Sequence, residues 1–219
     1  MTVADDITEV APDVYDLTLE RGAARYRAFL VDGAEPTLVD CGFDRTTDAL
    51  FDRLDALDVT PQRLVVTHVP PDHTGGFDAV VDRYDPTTYV PAESTHDFAH
   101  QPTHRYEHGD TVGPFQAVHV PGHTDDNYAL VAESRAVAVM GDAAIGADWR
   151  GLPAGYFVLV EGIYSTDLRE AERNLERLQA YDFDVGLVFH GSHVLADARE
   201  TLDAFVDFPN KPDTWPEDG

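Results

Sequence analysis

Thr67-His68-Val69-Pro70-Pro71-Asp72-His73-Thr74-Gly75-Gly76 places two imidazoles and a carboxylate within six residues, directly after the apolar run Leu64-Val65-Val66. Such side chains can hold a divalent ion of borderline or harder character. Taken alone, they read better as groups that hydrogen-bond locally within an ordinary polar loop. Beyond the stretch, His123, Asp142 and His190 each follow another apolar run. That recurrence makes a metal-bearing active centre the leading reading, because a strand end can present a polar group without burying it unpaired.

The flanking periodicity supplies the strands. Ile7 to Leu19 mixes alternation with turns, Arg25 to Val31 and Thr37 to Val39 read as strands, and Leu50, Phe51, Leu54 and Leu57 fall on one helical face. After the glycine pair, Phe77, Val80, Val81 and Tyr84 predict a short helix, and Thr88 to Val90 a strand. Phe115 to Val120 alternates toward Pro121-Gly122-His123, and Tyr128 to Val131 with Ala136 to Met140 predict a hairpin ending at Gly141-Asp142. Asp167, with Glu170 three residues on, is placed to cap a helix carrying Leu168, Leu175 and Leu178. A buried strand, Gly186 to Phe189, precedes His190, and a closing helix carries Ala198, Leu202, Phe205 and Val206. Strand and helix segments in this order suggest two comparable halves, packed sheet against sheet with helices outside.

The composition narrows the function. With 15 basic against 41 acidic residues the formal charge is -26, a field that repels nucleic acid and anionic membrane. Lys211 is the only lysine, and the dispersed carboxylates look like those of proteins from salt-rich cytoplasm. One cysteine, Cys41, excludes an intrachain disulfide and is read as a packing residue. The chain start carries no signal-peptide pattern and the apolar runs are strand-sized, so a cytoplasmic protein without a membrane span is expected.

Taken in order, Asp40-x-Gly42, His68-x-x-x-Asp72-His73-x-Gly75-Gly76, Gly109-Asp110, Pro121-Gly122-His123-Thr124, Gly141-Asp142 and His190-Gly191 resemble the pattern of the metallo-β-lactamase-fold superfamily over nearly the whole chain. The resemblance implies an α+β fold, a four-layer αββα sandwich with metals at one edge of the paired sheets. A single domain over 1–219 is expected, with 209–219 a flexible tail. It makes His68 and His123 ligands of a first ion, Asp72, His73 and His190 ligands of a second, and Asp142 the bridge between them. A bridging aspartate is similar to the hydroxyacylglutathione hydrolase side of the superfamily, and the acidic composition to a halophilic archaeal type. Pro70 departs from the pattern, which has histidine there or, in a diiron branch, glutamate; proline offers no side-chain ligand.

What the resemblance implies chemically is a metal-dependent hydrolase that activates water to cleave a small ester, thioester, lactone or phosphoester, with Asp72 as proton acceptor. Zinc is the expected cofactor, as one or two ions, with iron or manganese as alternatives. A mononuclear or non-catalytic metal protein that binds a small ligand or partner stays open because of Pro70, as does an iron-dependent redox protein. Asp40 is read as a carboxylate orienting a ligand histidine. His193 and Asp125 are candidates to compensate for the missing ligand, although a plain loop role is the commoner fate of each. Trp149, Arg150, Tyr156 and Tyr164 are read as a substrate wall, with ordinary packing given nearly equal weight. The expected partner is a small-molecule substrate, with no nucleic acid and no membrane, and a homodimer is left open.

Overall fold

The computed structural model of the chain describes residues 3–22 and 25–208. The tail expected over 209–219, including Lys211, lies outside them. The first sheet has seven strands in chain order: β1 (Ile7–Ala11), β2 (Val14–Glu20), β3 (Tyr26–Val31), β4 (Thr37–Val39), β5 (Arg63–Val65), β6 (Thr87–Pro91) and β7 (His104–Tyr106). It is antiparallel from β1 to β4 and parallel from β4 to β7. The second sheet begins with β8 (Thr111–Val112), β9 (Phe115–His119), β10 (Tyr128–Ala132) and β11 (Val137–Val139). A small ribbon of β12 (Ile145–Gly146) and β13 (Phe157–Val158) follows, and β14 (Val185–Leu187) then returns to pair with β11, giving the order β14-β11-β10-β9-β8.

Side-chain alternation assigns the layers. Phe29, Val31 and Val39 point from the first sheet into a core shared with Tyr128, Leu130 and Phe115 of the second. Their neighbours Ala28, Leu30 and Leu38 point outward, under α1 (Thr47–Ala56) and α3 (Phe77–Tyr84), which contribute Leu50, Leu54, Phe77 and Val80. On the far side Ala129 and Val131 meet α5 (Ala198–Val206) through Ala198 and Leu202, together with Leu175 and Leu178. The period-two strands therefore bury both faces, which is why both sheets need helical cover and four layers result.

Two short helices frame the site. α2 (Pro71–Thr74) is a single turn that Pro71 opens at its first position, where a missing N–H removes no intrahelical bond. The carbonyl of Pro70 accepts from the amides of His73 (3.0 Å) and Thr74 (3.2 Å). Asp167 caps α4 (Leu168–Asn174) as expected, accepting from the amides of Arg169 and Glu170 at 2.9 and 3.0 Å. The helix then tightens to a 3₁₀ stretch over Leu175–Ala180, where the three-residue spacing of Leu175 and Leu178 keeps both on the buried side. Gly122 lets the loop before His123 lie against α4: its φ is 131°, and a Cβ there would sit 2.1 Å from the Ala171 nitrogen.

Strands β9, β11 and β14 run in one direction, since β10 is antiparallel to β9 and β11, while β11 is parallel to β14. His123, Asp142 and His190 accordingly emerge from the same end of the second sheet. Asp40 and His68 emerge beyond the parallel strands β4 and β5 of the first. The amide of Tyr128 donates to the Thr67 carbonyl at 3.0 Å, joining the two sheets beside His68.

Candidate metal centre

Three groups of three ligand-type side chains lie at this shared edge among the described residues; in one, Asp40, His68 and His73, the carboxylate is already bonded to Thr67 and His73, and the other two converge on open space. His68, His123 and Asp142 form one, and Asp72, His73 and His190 the other; within each, the ligand-type atoms lie within 4.8 Å of one another. Asp142 stands between the sets. One carboxylate oxygen is 3.8 Å from His68 Nε2, 3.6 Å from His123 Nε2 and 3.5 Å from His190 Nε2, while the other is 3.8 Å from His73 Nε2. Asp72 approaches His190 Nε2 at 3.4 Å and His73 Nε2 at 3.8 Å.

The chemistry of these atoms fits a cation. Among the described residues, His68 Nε2, His73 Nε2 and Asp142 Oδ1 are buried without a hydrogen-bond partner. Such groups are normally satisfied, so three unpartnered electron-pair donors aimed at one space suit a shared cation. The electrostatics agree. Burial opposes ionisation of Asp142, but His190 above all, with His73, outweighs it and holds the carboxyl well below the usual carboxylate range. Burial likewise opposes charge on His190, yet Asp142 and Asp72 push its imidazolium up to about 10. Burial keeps His68 well below the ordinary imidazole value, so this ring stays neutral and able to ligate.

Orientation comes from the layer behind. Asp40 is fully buried and accepts three hydrogen bonds: from the Thr67 amide (2.7 Å), the Thr67 hydroxyl (2.6 Å) and His73 Nδ1–H (2.7 Å). Because the Thr67 proton goes to Asp40, the Thr67 oxygen is free to accept from His68 Nδ1–H at 3.0 Å. Both histidines are thereby set with Nε2 toward the centre. Asp142 is fixed by its own amide, which donates to Asn127 Oδ1 at 3.0 Å. Cys41 is fully buried, its thiol donating to the His73 carbonyl at 3.2 Å, in keeping with a packing role.

The structure places several of the candidate residues away from the converging side chains. His193 does not take the place beside Pro70: its Nδ1 accepts from the Val188 amide (3.2 Å) and its Nε2–H donates to Asp16 (3.0 Å), so both ring nitrogens are committed elsewhere. Asp125 is exposed, and its carbonyl accepts from His119 Nε2–H at 2.7 Å. Arg150 faces Glu161 at 3.5 Å and lies outside the cavity above the centre. Tyr156 lines a different hollow, between β13 and α5. That hollow is larger, about 640 Å³, but contains none of the converging imidazoles, so size does not mark the site.

The cavity that does open on Asp72, His123, Asp142 and His190 has a volume of about 350 Å³. Trp149 and Tyr164 line it, together with Pro70. Tyr26, Ile145, Val160 and Glu161 also line it and were not legible, because each sits on a different local pattern and meets the others only through packing. Glu161 accepts from Trp149 Nε1–H at 3.0 Å, which fixes the indole above the centre. No arginine or lysine lines this cavity among the described residues.

The family model described as the metallo-β-lactamase superfamily matches residues 26–193. No curated protein matches the chain. Among solved structures, the DIM-1 metallo-β-lactamase is similar at 17% identity and TM-score 0.72, covering 92% of this chain and 94% of its own. A metallo-β-lactamase family protein from Thermus thermophilus is 19% identical, with TM-score 0.68 over 91% of this chain and 80% of that one. TTHA1623 in a di-iron-bound form is 21% identical, with TM-score 0.64 over 88% and 96%.

Proposed function

Because the chain belongs to the metallo-β-lactamase superfamily, we propose that its metal-dependent hydrolase chemistry acts on a carboxylic ester, thioester or lactone whose acyl part is apolar and carries no remote anion. The carrying observation is the cavity over the converging side chains: Tyr26, Ile145, Trp149, Val160 and Tyr164 form its wall, Glu161 is the charge that wall adds, and neither arginine nor lysine lines it among the described residues. A phosphodiester or a multiply anionic thiol conjugate would meet that wall with no arginine or lysine to pair its outer charges, within a molecule of formal charge -26. Such substrates are disfavoured relative to a neutral acyl group.

His68, His123 and Asp142 would hold one ion and Asp72, His73 and His190 another, with Asp142 shared as a bridging carboxylate. A bound divalent ion lowers the pKa of a water molecule and polarises the bond under attack. Asp72, kept ionised mainly by its hydrogen bond and charge interactions with His190 and His73 against the cost of burial, lies at the cavity wall to accept the water's proton. Trp149 and Tyr164 would orient the acyl group over it.

Zinc is the ion we assign, and the likeness to a fold neighbour solved in a di-iron-bound form supports keeping iron in the metal analysis. With Pro70 in place, His68, His123 and Asp142 are the residues that would hold an ion at the first position, three protein ligands being the number catalytic zinc sites use. We place the protein in a salt-rich cytoplasm on its acidic composition. No described helix is long and apolar enough to cross a membrane.

The test is hydrolysis by purified, zinc-loaded protein in high salt, using uncharged aryl esters, lactones and thioesters beside phosphodiesters. Turnover of the acyl substrates, lost with chelator and in His73→Ala, is expected. Faster turnover of the phosphodiesters would overturn the substrate class, and no turnover of any of them would overturn the hydrolytic reading.

A further inference from the structure

A buried cluster outside the metal centre grips the loop that carries His190. Arg27 on β3 is almost wholly buried, and its guanidinium donates to three carbonyls of that loop: Nη1 to Val188 (3.2 Å) and Phe189 (3.0 Å), and Nη2 to Gly191 (2.7 Å). The last two flank His190 on either side. Arg27 is held in turn by Asp16 on β2, whose carboxylate accepts from Arg27 Nε–H at 2.9 Å, from His193 Nε2–H at 3.0 Å and from the Thr18 hydroxyl at 3.1 Å. His193 closes the ring by accepting from the Val188 amide at 3.2 Å.

His190 itself has no such support. Its Nδ1 is buried without a hydrogen-bond partner among the described residues, and its ring otherwise meets Tyr26 edge-on and Trp149 at a tilt. The other ligand histidines whose partners are within 3.0 Å, His68 and His73, are oriented through their own rings by Thr67 and Asp40. At His190 the backbone is clamped, Nε2 faces Asp72 and Asp142, and the Nδ1 edge of the ring is left to packing. The carbonyls flanking His190 point at a fork of N–H groups that only arginine supplies: a lysine ammonium is a point donor and cannot span Asp16 and three carbonyls together.

We propose that Arg27, seated by Asp16 and His193, is the positioning residue for His190 and thereby sets ion affinity at the position formed by Asp72, His73 and His190. The clamp also explains what His193 does in place of ligation. This inference rests on the reading of His190 as a ligand.

Zinc binding to the full-length protein, measured by chelator competition and by metal content after dialysis, tests both readings separately. Wild-type protein that retains no zinc would overturn the ligand reading itself. If wild type binds zinc, Arg27→Lys is expected to weaken one position about 10- to 100-fold, the range for lost outer-shell partners, and to lower kcat with KM little changed. Asp16→Asn should produce the same change at smaller size, and His193→Gln, whose amide can both donate to Asp16 and accept from Val188, should bind as wild type does. Removing a buried pair partner also destabilises the fold, so Leu54→Ala, a fully buried outer-layer site, serves as a control for lost stability alone and should keep wild-type zinc affinity. If Arg27→Lys does not fold, Asp16→Asn carries the comparison. Unchanged zinc affinity in the folded variants, or an equal loss in Leu54→Ala, would overturn the positioning role.

Discussion

Asp40 sits in a left-handed backbone conformation, φ 57°, at the end of β4, where its carboxylate gathers the Thr67 amide, the Thr67 hydroxyl and His73 Nδ1–H. All three partners are donors, so the site needs a pure acceptor. In Asp40→Asn one oxygen becomes an NH₂ that must face donors, and the tautomer of His73 loses its support. The expected outcome is a protein that folds but binds zinc about 10- to 100-fold more weakly, the usual scale for a lost outer-shell carboxylate; chelator competition measures it, and wild-type affinity would remove Asp40 from the orienting layer. Asp40 stood out by its motif, and so did the six imidazole and carboxylate side chains that converge, because each belongs to a motif at the end of an apolar run in the required order. Thr67 directly precedes His68, yet its relay between Asp40 and that imidazole was not readable, since it depends on which way one hydroxyl proton points.

At the scale of elements, alternation and helical spacing made most strands and helices readable, and the parallel β5-to-β6 unit was implied by its intervening helix. The β12–β13 ribbon was not, because two-residue strands carry no periodic signal. Also hidden was the junction of β2 and β3 with the loop after β14, where Asp16 and His193 meet across 177 positions of sequence. That junction gives a pH dependence. Burial depresses the His193 pKa below its ordinary 6.5, and the Val188 amide occupies its Nδ1, so the folded protein holds the ring neutral. The unfolded chain takes up that proton first, so the stability supplied by His193 is complete above about 6.5 and is lost as pH falls below it. Asp16 is also depressed, its bonds to His193 and Arg27 outweighing burial, and its contribution is lost only below the ordinary carboxylate value of 3.8. Unfolding midpoints of wild type and His193→Gln, taken at fixed salt and saturating zinc from pH 8 to 5, should diverge with wild type falling further on acidification. Parallel profiles would refute the neutral ring.

For the whole molecule the controlling quantity is charge. The formal -26 leaves many carboxylates to repel one another over the surface. Salt shortens the screening length from about 8 Å at physiological ionic strength to about 3 Å at 1 M. We expect the thermal midpoint to rise as potassium or sodium chloride is raised from 0.1 M to above 1 M, and a midpoint that is flat or falls would defeat the salt-adapted reading. Composition, the order of strand-end ligands and the periodicity of each segment were determined by the sequence itself, because they depend on residue type and local spacing. Which aromatic groups wall the cavity, how Thr67 and Asp40 set two imidazoles, and which backbone Arg27 clamps were decided only by the tertiary structure. Those contacts join residues far apart along the chain, and an isolated segment carries no record of the partner that packing brings to it.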